Sequence, residues 1–278
     1  MKLVEDVKTD AQELFNLSME EKKKLWQKPG DMEGFGQMID VPKEEPSDWV
    51  DGFYISTLPS HSRKPNLFPN LPLPFRENLE VYCKEMRDLA NNIYVLIGKG
   101  LGIEPKEIKE SIGEGGQSIR INYYPPCPQP ENVLGLKPHT DGSALTILLQ
   151  ANEVEGLQIN KDGMWIPVKP LPNAFIISLG DVLEVVTNGI YKSSEHRAVV
   201  NSWKERLSIA TFCGPEWSAN IGPAPTLVTP ERPALFKTIG VADFYKGYLS
   251  PEHRGKSYIN DVLRIQNENI KGQDSSSN

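Results

Sequence analysis

The sequence has few cysteines, and their positions argue against any structural bridge. Cys83, Cys127 and Cys213 are the three cysteines among 278 residues, and they lie far apart. An odd number at such spacing fits neither a disulfide framework nor a Cys-x-x-Cys metal site. Free thiols of this kind are typical of proteins in a reducing compartment. We therefore expect a cytoplasmic protein without a disulfide framework.

Long apolar runs are also missing. No stretch approaches the roughly 18 consecutive apolar residues that a transmembrane helix requires. Residues 1–15 carry acidic side chains throughout, so they lack the unbroken apolar stretch of a signal peptide. The sequence therefore predicts neither a membrane span nor a secretion signal.

Basic clusters of the kind that bind nucleic acids do not occur. The chain has 37 acidic and 30 basic residues, which gives a net charge of -7. The basic run Lys22–Lys24 directly follows Glu20 and Glu21, a pattern that indicates a solvated helix face. Because nucleic-acid-binding domains usually present a basic face, we expect no nucleic-acid partner.

Motifs of several common enzyme classes are incomplete. The glycine-rich run 113–116 lacks the strand–GxGxxG–helix context of a dinucleotide fold. Residues 255–257 resemble the end of a P-loop, but Ser250 stands where the first glycine of that motif belongs. No GxSxG elbow or Ser–His–Asp arrangement can be found. Nucleotide binding and acyl-transfer hydrolysis therefore have no support.

Helical periodicity dominates the first half of the chain. Ser18 and Glu21 have the spacing of a capping box, which predicts the start of a helix. Recurrent prolines predict an extended, non-helical connection over 59–74, and residues 29–53 have the composition of loops. The predicted helices cover 3–17, 18–26, an amphipathic stretch from about Leu79 to Leu101 that ends at Gly102, and 105–112.

Short strand patterns take over after residue 116, separated by Gly, Pro, Asn and Asp. This texture indicates a jelly roll or a barrel. Helical patterns return at 242–248 and 258–267, and the polar tail 273–278 is predicted to be disordered. The expected strands lie at 52–56, 119–124, 144–150, 165–168, 174–179, 197–200 and 207–212.

The expected fold is therefore mainly β with flanking α-helices at both ends. No internal repeat appears, so we expect a single domain whose central β unit carries every candidate functional residue. Its parts would be an N-terminal helical framework with loops over 1–114, a jelly-roll core over 115–215, and a C-terminal helical segment over 216–278 that packs on the core.

The triplet His139-Thr140-Asp141 and the distant His196 are the strongest functional signal. At positions i and i+2 on an extended chain, His139 and Asp141 point to the same face. Joined by His196, they match the 2-His-1-carboxylate arrangement, whose open positions suit a non-haem Fe(II) that binds oxygen and a co-substrate together. A lone histidine is more often structural or exposed, and we assign no role to His61 or His253.

Arg206 and Ser208 lie on the next expected strand after His196. A guanidinium offers a planar cationic fork, and a serine adds a hydroxyl donor. The carboxylate tail of a 2-oxo acid needs this combination. The metal site and this binding site for a 2-oxo acid together predict an oxygenase.

These motifs resemble those of the plant Fe(II)/2-oxoglutarate-dependent dioxygenases. More narrowly, the sequence resembles the opium-poppy O-demethylases that act on morphinan alkaloids. The resemblance rests on Asn122-Tyr-Tyr-Pro-Pro-Cys-Pro-Gln-Pro130, His139-Thr-Asp141, His196-Arg197 and Arg206-Leu-Ser208, and it extends to Trp49–Phe53 and Gly255–Tyr258.

The resemblance implies a double-stranded β-helix core, Fe(II) as the metal, 2-oxoglutarate and O2 as co-substrates, and ascorbate as the reductant. It also implies a small-molecule substrate, expected to be an alkaloid, and a monomer. For the co-substrate site, the resemblance implies that Arg206 and Ser208 hold the distal carboxylate of 2-oxoglutarate, that Tyr124 assists them, and that Asn122 lines the pocket. The implied iron ligands are His139, Asp141 and His196.

The reaction implied is oxidation of a plant secondary metabolite, with succinate and CO2 as products. If the oxidised carbon is a methoxy group of a morphinan or benzylisoquinoline alkaloid, formaldehyde is also released. The alternatives are a hydroxylase or desaturase of flavonoid or hormone type, a non-catalytic homologue, and a metal-binding sensor module. Family members usually have further strands ahead of the first helix, so we expect an unpaired edge in the large sheet.

Overall fold

The computed structural model describes residues 2–36, 48–113, 115–250 and 258–265. Its helices and strands, in chain order, are α1 (Lys2–Asn16), α2 (Met19–Lys24), β1 (Gly34–Phe35), β2 (Asp51–Leu58), α3 (Leu73–Leu101), α4 (Pro105–Ile112), β3 (Gln117–Tyr124), β4 (Leu136–His139), β5 (Leu145–Gln150), β6 (Leu157–Lys161), β7 (Met164–Pro167), β8 (Phe175–Leu179), α5 (Asp181–Val186), β9 (His196–Ala198), β10 (Arg206–Cys213), β11 (Asn220–Ile221), β12 (Ile239–Gly240) and α6 (Val241–Tyr248).

Two antiparallel sheets form the β unit, as the predicted jelly roll requires. The large sheet has the order β1-β2-β3-β10-β5-β8, and the smaller sheet has the order β4-β9-β6-β7. Side chains of both sheets line one cavity, so the sheets face each other around it. In the described residues no strand pairs with the outer side of β8.

Alternation along the strands separates the hydrophobic core from the cavity. Successive side chains of a strand point to opposite faces, so Ile119 and Ile121 of β3 pack outward with Leu207 and Ile209 of β10. Helix α3 contacts β2, β5 and β10, and its buried stripe joins the same core. The opposite face of each strand is thereby left to line the cavity.

The predicted start of the second helix and the predicted end of the long helix are both confirmed. The Glu21 N–H donates to the Ser18 hydroxyl at 3.3 Å, and the Ser18 N–H donates to the Glu21 carboxylate at 3.1 Å. Helix α3 ends at Gly102, whose φ of 69° is left-handed and therefore favours glycine.

Three expectations for local structure are corrected. The connection 59–74 was expected to contain no helix, but it has two 3-10 turns and the first residues of α3, where Pro74 lies in the first turn and needs no N–H partner. Helix α2 ends at Lys24 rather than near residue 26. The helix expected over 258–267 is a π-helical turn, Tyr258–Leu263. The tail 273–278, His253 and the run 255–257 lie outside the described residues.

Strand β2 belongs to the large sheet although it precedes residue 115. It pairs with β3 from Asp51 opposite Tyr123 to Leu58 opposite Gln117. The proposed parts of the domain thus share one sheet, and their boundaries stay a prediction. None of the helices in the described ranges combines the length and apolar character needed to cross a bilayer.

Candidate active site

A cavity of about 1230 Å³ lies between the two sheets. Strand register arranges its polar wall in rows, because residues paired on neighbouring strands point to the same face. Tyr124 lies opposite Arg206, and Asn122 lies opposite Ser208. The four residues expected to bind a co-substrate therefore form two adjacent rows on β3 and β10, on the cavity face.

The expected metal ligands meet on the facing sheet. Strands β4 and β9 pair with His139 directly opposite His196, which places the ring centroids 4.3 Å apart. Asp141 lies two residues after the end of β4, and its Oδ1 lies 3.8 Å from the Nε2 atom of each histidine. One ligand atom from each residue falls within 4.8 Å of the others. The local triplet and the distant histidine are therefore joined by one strand pairing.

The orientations of these side chains fit a metal ion. Nδ1 of His139 lies 2.8 Å from the Lys137 carbonyl, and Nδ1 of His196 lies 3.1 Å from the Ser194 carbonyl. A neutral ring can only donate to a carbonyl, so each Nδ1 carries the proton and each Nε2 presents its lone pair. Oδ2 of Asp141 is buried without a hydrogen-bond partner among the described residues. Two lone pairs and an unsatisfied carboxylate thus converge, as Fe(II) requires.

Asp181 connects the two segments that carry the ligands, and sequence patterns did not reveal it. Its carboxylate accepts hydrogen bonds from the Thr140 hydroxyl at 3.0 Å and the Ser193 hydroxyl at 2.5 Å. Its N–H donates to the Asp141 carbonyl at 2.8 Å. Thr140 lies between His139 and Asp141 in the chain, so this fully buried carboxylate fixes the loop that holds two of the ligands.

Arg206 is buried, and its charge faces the cavity. Nη2 donates to Gln150 Oε1 at 3.1 Å, Nη1 donates to Ser208 Oγ at 3.4 Å, and the guanidinium lies 5.1 Å from the Tyr124 ring centroid. Nε has no partner, and among the described residues no carboxylate forms an ion pair with Arg206. Since burying an unpaired charge is costly, this pocket suits an acidic ligand.

Burial also lowers the pKa of one of these ligands, His139. The pKa of His139 falls from 6.5 to about 4, first because the half-buried ring is desolvated and second because His196 lies beside it. A histidine must be neutral to bind a metal, so His139 is ready to do so well below neutral pH.

The lowered pKa of His139 predicts that the metal-free protein loses stability as pH falls from 6.5 to 4. In this window the unfolded chain binds a proton at His139 and the folded chain does not, which favours unfolding. We expect His139 to contribute a loss on the order of 1 kcal/mol in the free energy of unfolding between pH 7 and pH 5. Urea unfolding of the metal-free protein and of His139→Gln measures it. Equal pH dependence in both proteins would contradict the prediction.

The comparisons with known proteins agree with this geometry. The family model of the 2OG-Fe(II) oxygenase superfamily matches residues 115–215, and the model of the N-terminal part of a non-haem dioxygenase in morphine synthesis matches residues 1–71. The oxoglutarate-dependent flavonoid 7-O-demethylase 1 of Ocimum basilicum is 53% identical over 95% of this chain and 71% of its own length. The chain belongs to the 2OG-Fe(II) oxygenase superfamily.

Other oxygenases of this superfamily extend the likeness. Codeine O-demethylase of Papaver somniferum is 52% identical, over 95% of this chain and 73% of the relative. The crystal structure of JOX2 in complex with 2OG, Fe, and JA has a TM-score of 0.88 and 34% identity, and covers 95% of this chain and 79% of that one. The enzyme class, the jelly-roll fold and the use of Fe(II) and 2-oxoglutarate are therefore confirmed, whereas the substrate is not fixed by these relatives.

Proposed function

We propose that this oxygenase O-demethylates a methoxylated plant secondary metabolite and releases succinate, CO2 and formaldehyde. The main support is that one cavity contains both the metal triad and the buried Arg206, which has no carboxylate partner among the described residues. Sequence identity of 51–53% to O-demethylases over about 95% of the chain supports the choice of reaction. Those relatives are named for a flavonoid, for codeine and for thebaine, so both methoxylated alkaloids and methoxylated flavonoids are candidate substrates.

We assign the predicted roles to the residues as follows. His139, Asp141 and His196 hold Fe(II), while Arg206 and Ser208 bind the distal carboxylate of 2-oxoglutarate. The hydroxyl of Tyr124 supports that carboxylate from the neighbouring strand, and Asn122 lines the same pocket. When bound, Fe(II) supplies the coupled oxidation, by O2, of one substrate C–H bond and of 2-oxoglutarate.

The chain itself orients the reactants and keeps water out. Helix α6 contributes to this because the Tyr248 hydroxyl donates to the Thr140 carbonyl at 2.6 Å. The Tyr248 ring packs so close to Gly142 that an added Cβ would lie 2.8 Å from it. The loop between His139 and Ser143 is thus covered by an aromatic side chain rather than by solvent. Hydroxylation of a methoxy carbon in this chamber gives a hemiacetal, which loses formaldehyde and leaves a free hydroxyl group on the substrate.

The reaction is tested by supplying anaerobically purified protein with Fe(II), ascorbate and 2-oxoglutarate, and then with air. Methoxylated alkaloids and methoxyflavones are added one at a time, and succinate and formaldehyde are measured. Equal amounts of both products with one substrate would support O-demethylation. Succinate with an oxygenated product but no formaldehyde would favour a hydroxylase. No succinate from folded, iron-loaded protein would favour a non-catalytic homologue.

Arg206→Lys is expected to weaken 2-oxoglutarate binding about ten-fold or more. Lysine keeps the charge but loses the planar fork, and a charge-assisted hydrogen bond contributes roughly 1.5–3 kcal/mol. Titration of 2-oxoglutarate into the iron-loaded protein under anaerobic conditions measures the change. The exposed Arg232→Lys serves as the matched control, and an unchanged titration in Arg206→Lys would remove Arg206 from this role.

We further infer that the oxygenase acts as a monomer in the cytoplasm. All three cysteines are buried and unbonded, which a reducing compartment favours. Sedimentation of the purified protein would test the oligomeric state, and a fluorescent fusion would test the location.

A further inference from the structure

Arg120 is a second buried cation in the cavity wall, and the roles assigned above do not use it. It lies on β3 two residues before Asn122, on the same face of the strand, and it lines the cavity. Only 6% of its surface is exposed. Its Nε donates to Asn122 Oδ1 at 2.7 Å, so the two terminal nitrogens of the guanidinium are the groups left for another ligand.

Among the described residues no carboxylate lies within ion-pair distance of Arg120, and Asp48, which lines the same cavity, interacts with its charge only from farther away. Among the described residues, ion pairs join Arg63 to Glu80 and Arg264 to Glu184, but none involves Arg120. Of the described arginines, only Arg120 and Arg206 are buried. A buried guanidinium without a carboxylate is costly unless a ligand supplies the missing charge. At Arg206 that ligand is the co-substrate, and Arg120 presents the same situation two rows farther along the sheet.

The backbone around Arg120 is shaped to hold the guanidinium. Gly52 of β2 lies opposite Asn122, and a Cβ added at Gly52 would lie 2.8 Å from Arg120 Nη2. Glycine at this position therefore leaves the space that the guanidinium occupies. Asn122 fixes the other side of the group, so its direction is set before any ligand binds.

The distance from Arg120 to the co-substrate rows suits a small aromatic molecule. Residues i and i+2 of a strand are about 7 Å apart, so Arg120 lies one such step from Asn122 and two from Tyr124. Its direct neighbours in the same row are Tyr54 of β2 and Ala210 of β10, and Leu148 of β5 follows beyond Ala210. Ala210 and Leu148 offer a small and an apolar surface. A flat apolar ring system fits beside these two residues, with one polar end at Arg120.

We propose that Arg120 binds an anionic oxygen of the substrate, a carboxylate or an acidic phenol, while the carbon to be oxidised faces the His139–Asp141–His196 triad. The proposal rests on the O-demethylase function proposed above and narrows the range of its substrates. Methoxylated aromatic acids and phenols are favoured, since the guanidinium stabilises their charge. A protonated amine placed at the same point would be repelled.

The test compares matched probes for binding to the protein loaded with Fe(II) and 2-oxoglutarate, without oxygen. One pair is methoxycinnamic acid and its methyl ester, and the other is a methoxyflavone with a free phenol and its fully methylated counterpart. Thebaine serves as a methoxylated tertiary amine. In the unaltered protein, one acidic member is expected to bind at least ten-fold more tightly than its neutral counterpart, and the pair that responds identifies carboxylate or phenol as the source.

Arg120→Gln is expected to remove this preference, and Arg120→Lys is expected to keep part of it. Arg232→Gln is the matched control at an exposed site. Gly52→Ala offers an independent variant, because it displaces the guanidinium without deleting it. The affinity for 2-oxoglutarate is titrated in each variant, since Arg120 also contacts Asn122.

Several results would overturn the proposal, and two of them come from the binding comparison. One is that neither acidic probe binds better than its neutral counterpart, and the other is that the preference survives in Arg120→Gln. A change confined to 2-oxoglutarate affinity would also reject it, since Arg120 would then only position Asn122. Formaldehyde release is measured separately. Acid-selective binding without formaldehyde would refute O-demethylation alone, whereas formaldehyde from neutral or amine substrates regardless of Arg120 would refute this inference alone.

Discussion

Replacing His196 with alanine is expected to abolish Fe(II)-dependent turnover. The variant loses the one ligand that the distant strand β9 contributes, so His139 and Asp141 are left to hold the metal alone. Three protein ligands define the facial arrangement, and two leave the metal both weakly bound and wrongly oriented. Succinate formation and bound metal per chain, measured after gel filtration, should both fall to background.

The control for this variant is His61→Ala. His61 is exposed and lines the cavity without belonging to the triad, so its removal should leave the metal content unchanged. Circular dichroism of both variants checks that the fold is retained. If His196→Ala kept its turnover, the assignment of the triad would be wrong.

The metal triad could be predicted from the sequence because most of its geometry is local. His139 and Asp141 are two residues apart, and residue chemistry alone distinguishes the histidines and the carboxylate as ligands. Predicting His196 as the third ligand required only the assumption that its strand lies beside the strand that carries His139. The structure meets that assumption through the direct pairing of β4 with β9.

Elements whose residues carry no periodic signal could not be predicted. Helix α5 is only six residues long and is buried on all sides, Asp181 and Glu184 included, so it has no solvent-exposed face and too few turns for an amphipathic stripe to be recognised. Strand β4 follows a proline-rich segment and contains Pro138, which hides its strand pattern. Its place in the sheet depends on pairing with β9, a contact between distant parts of the chain.

The role of Arg120 was only partly visible in the sequence. The alternation of Ile119-Arg120-Ile121-Asn122 was recognised as a strand, and it places Arg120 and Asn122 on one face. Among the described residues Arg120 has no carboxylate at ion-pair distance, with Asp48 farther away, and this depends on which carboxylates the folded chain brings near. A one-dimensional pattern cannot show that a charge is left unpaired.

Asp181→Ala is expected to have the second-largest effect, although Asp181 binds no metal. The substitution leaves the hydroxyls of Thr140 and Ser193 without their shared acceptor. Hydrogen bonds to a charged group contribute roughly 1.5–3 kcal/mol each, so the free energy of unfolding should fall by about 3 kcal/mol or more. Urea unfolding of the metal-free variant measures this loss, with the partly exposed Asp6→Ala as the control, because the ion pair of Asp6 with Lys2 lies at the surface and such pairs contribute little.

The same carboxylate should also determine how well the metal binds. Groups that orient metal ligands typically change affinity by about 10–100-fold when removed, and Asp181 holds the loop between His139 and Asp141. Thr140→Val tests this effect with less damage, since it deletes one hydrogen bond while Ser193 keeps its own. Cobalt titration, well below the unfolding temperature, should show weaker binding and an altered visible spectrum in Thr140→Val. A normal cobalt spectrum and affinity, together with lower stability, would mean that Asp181 supports the fold alone and leaves the metal geometry to its ligands.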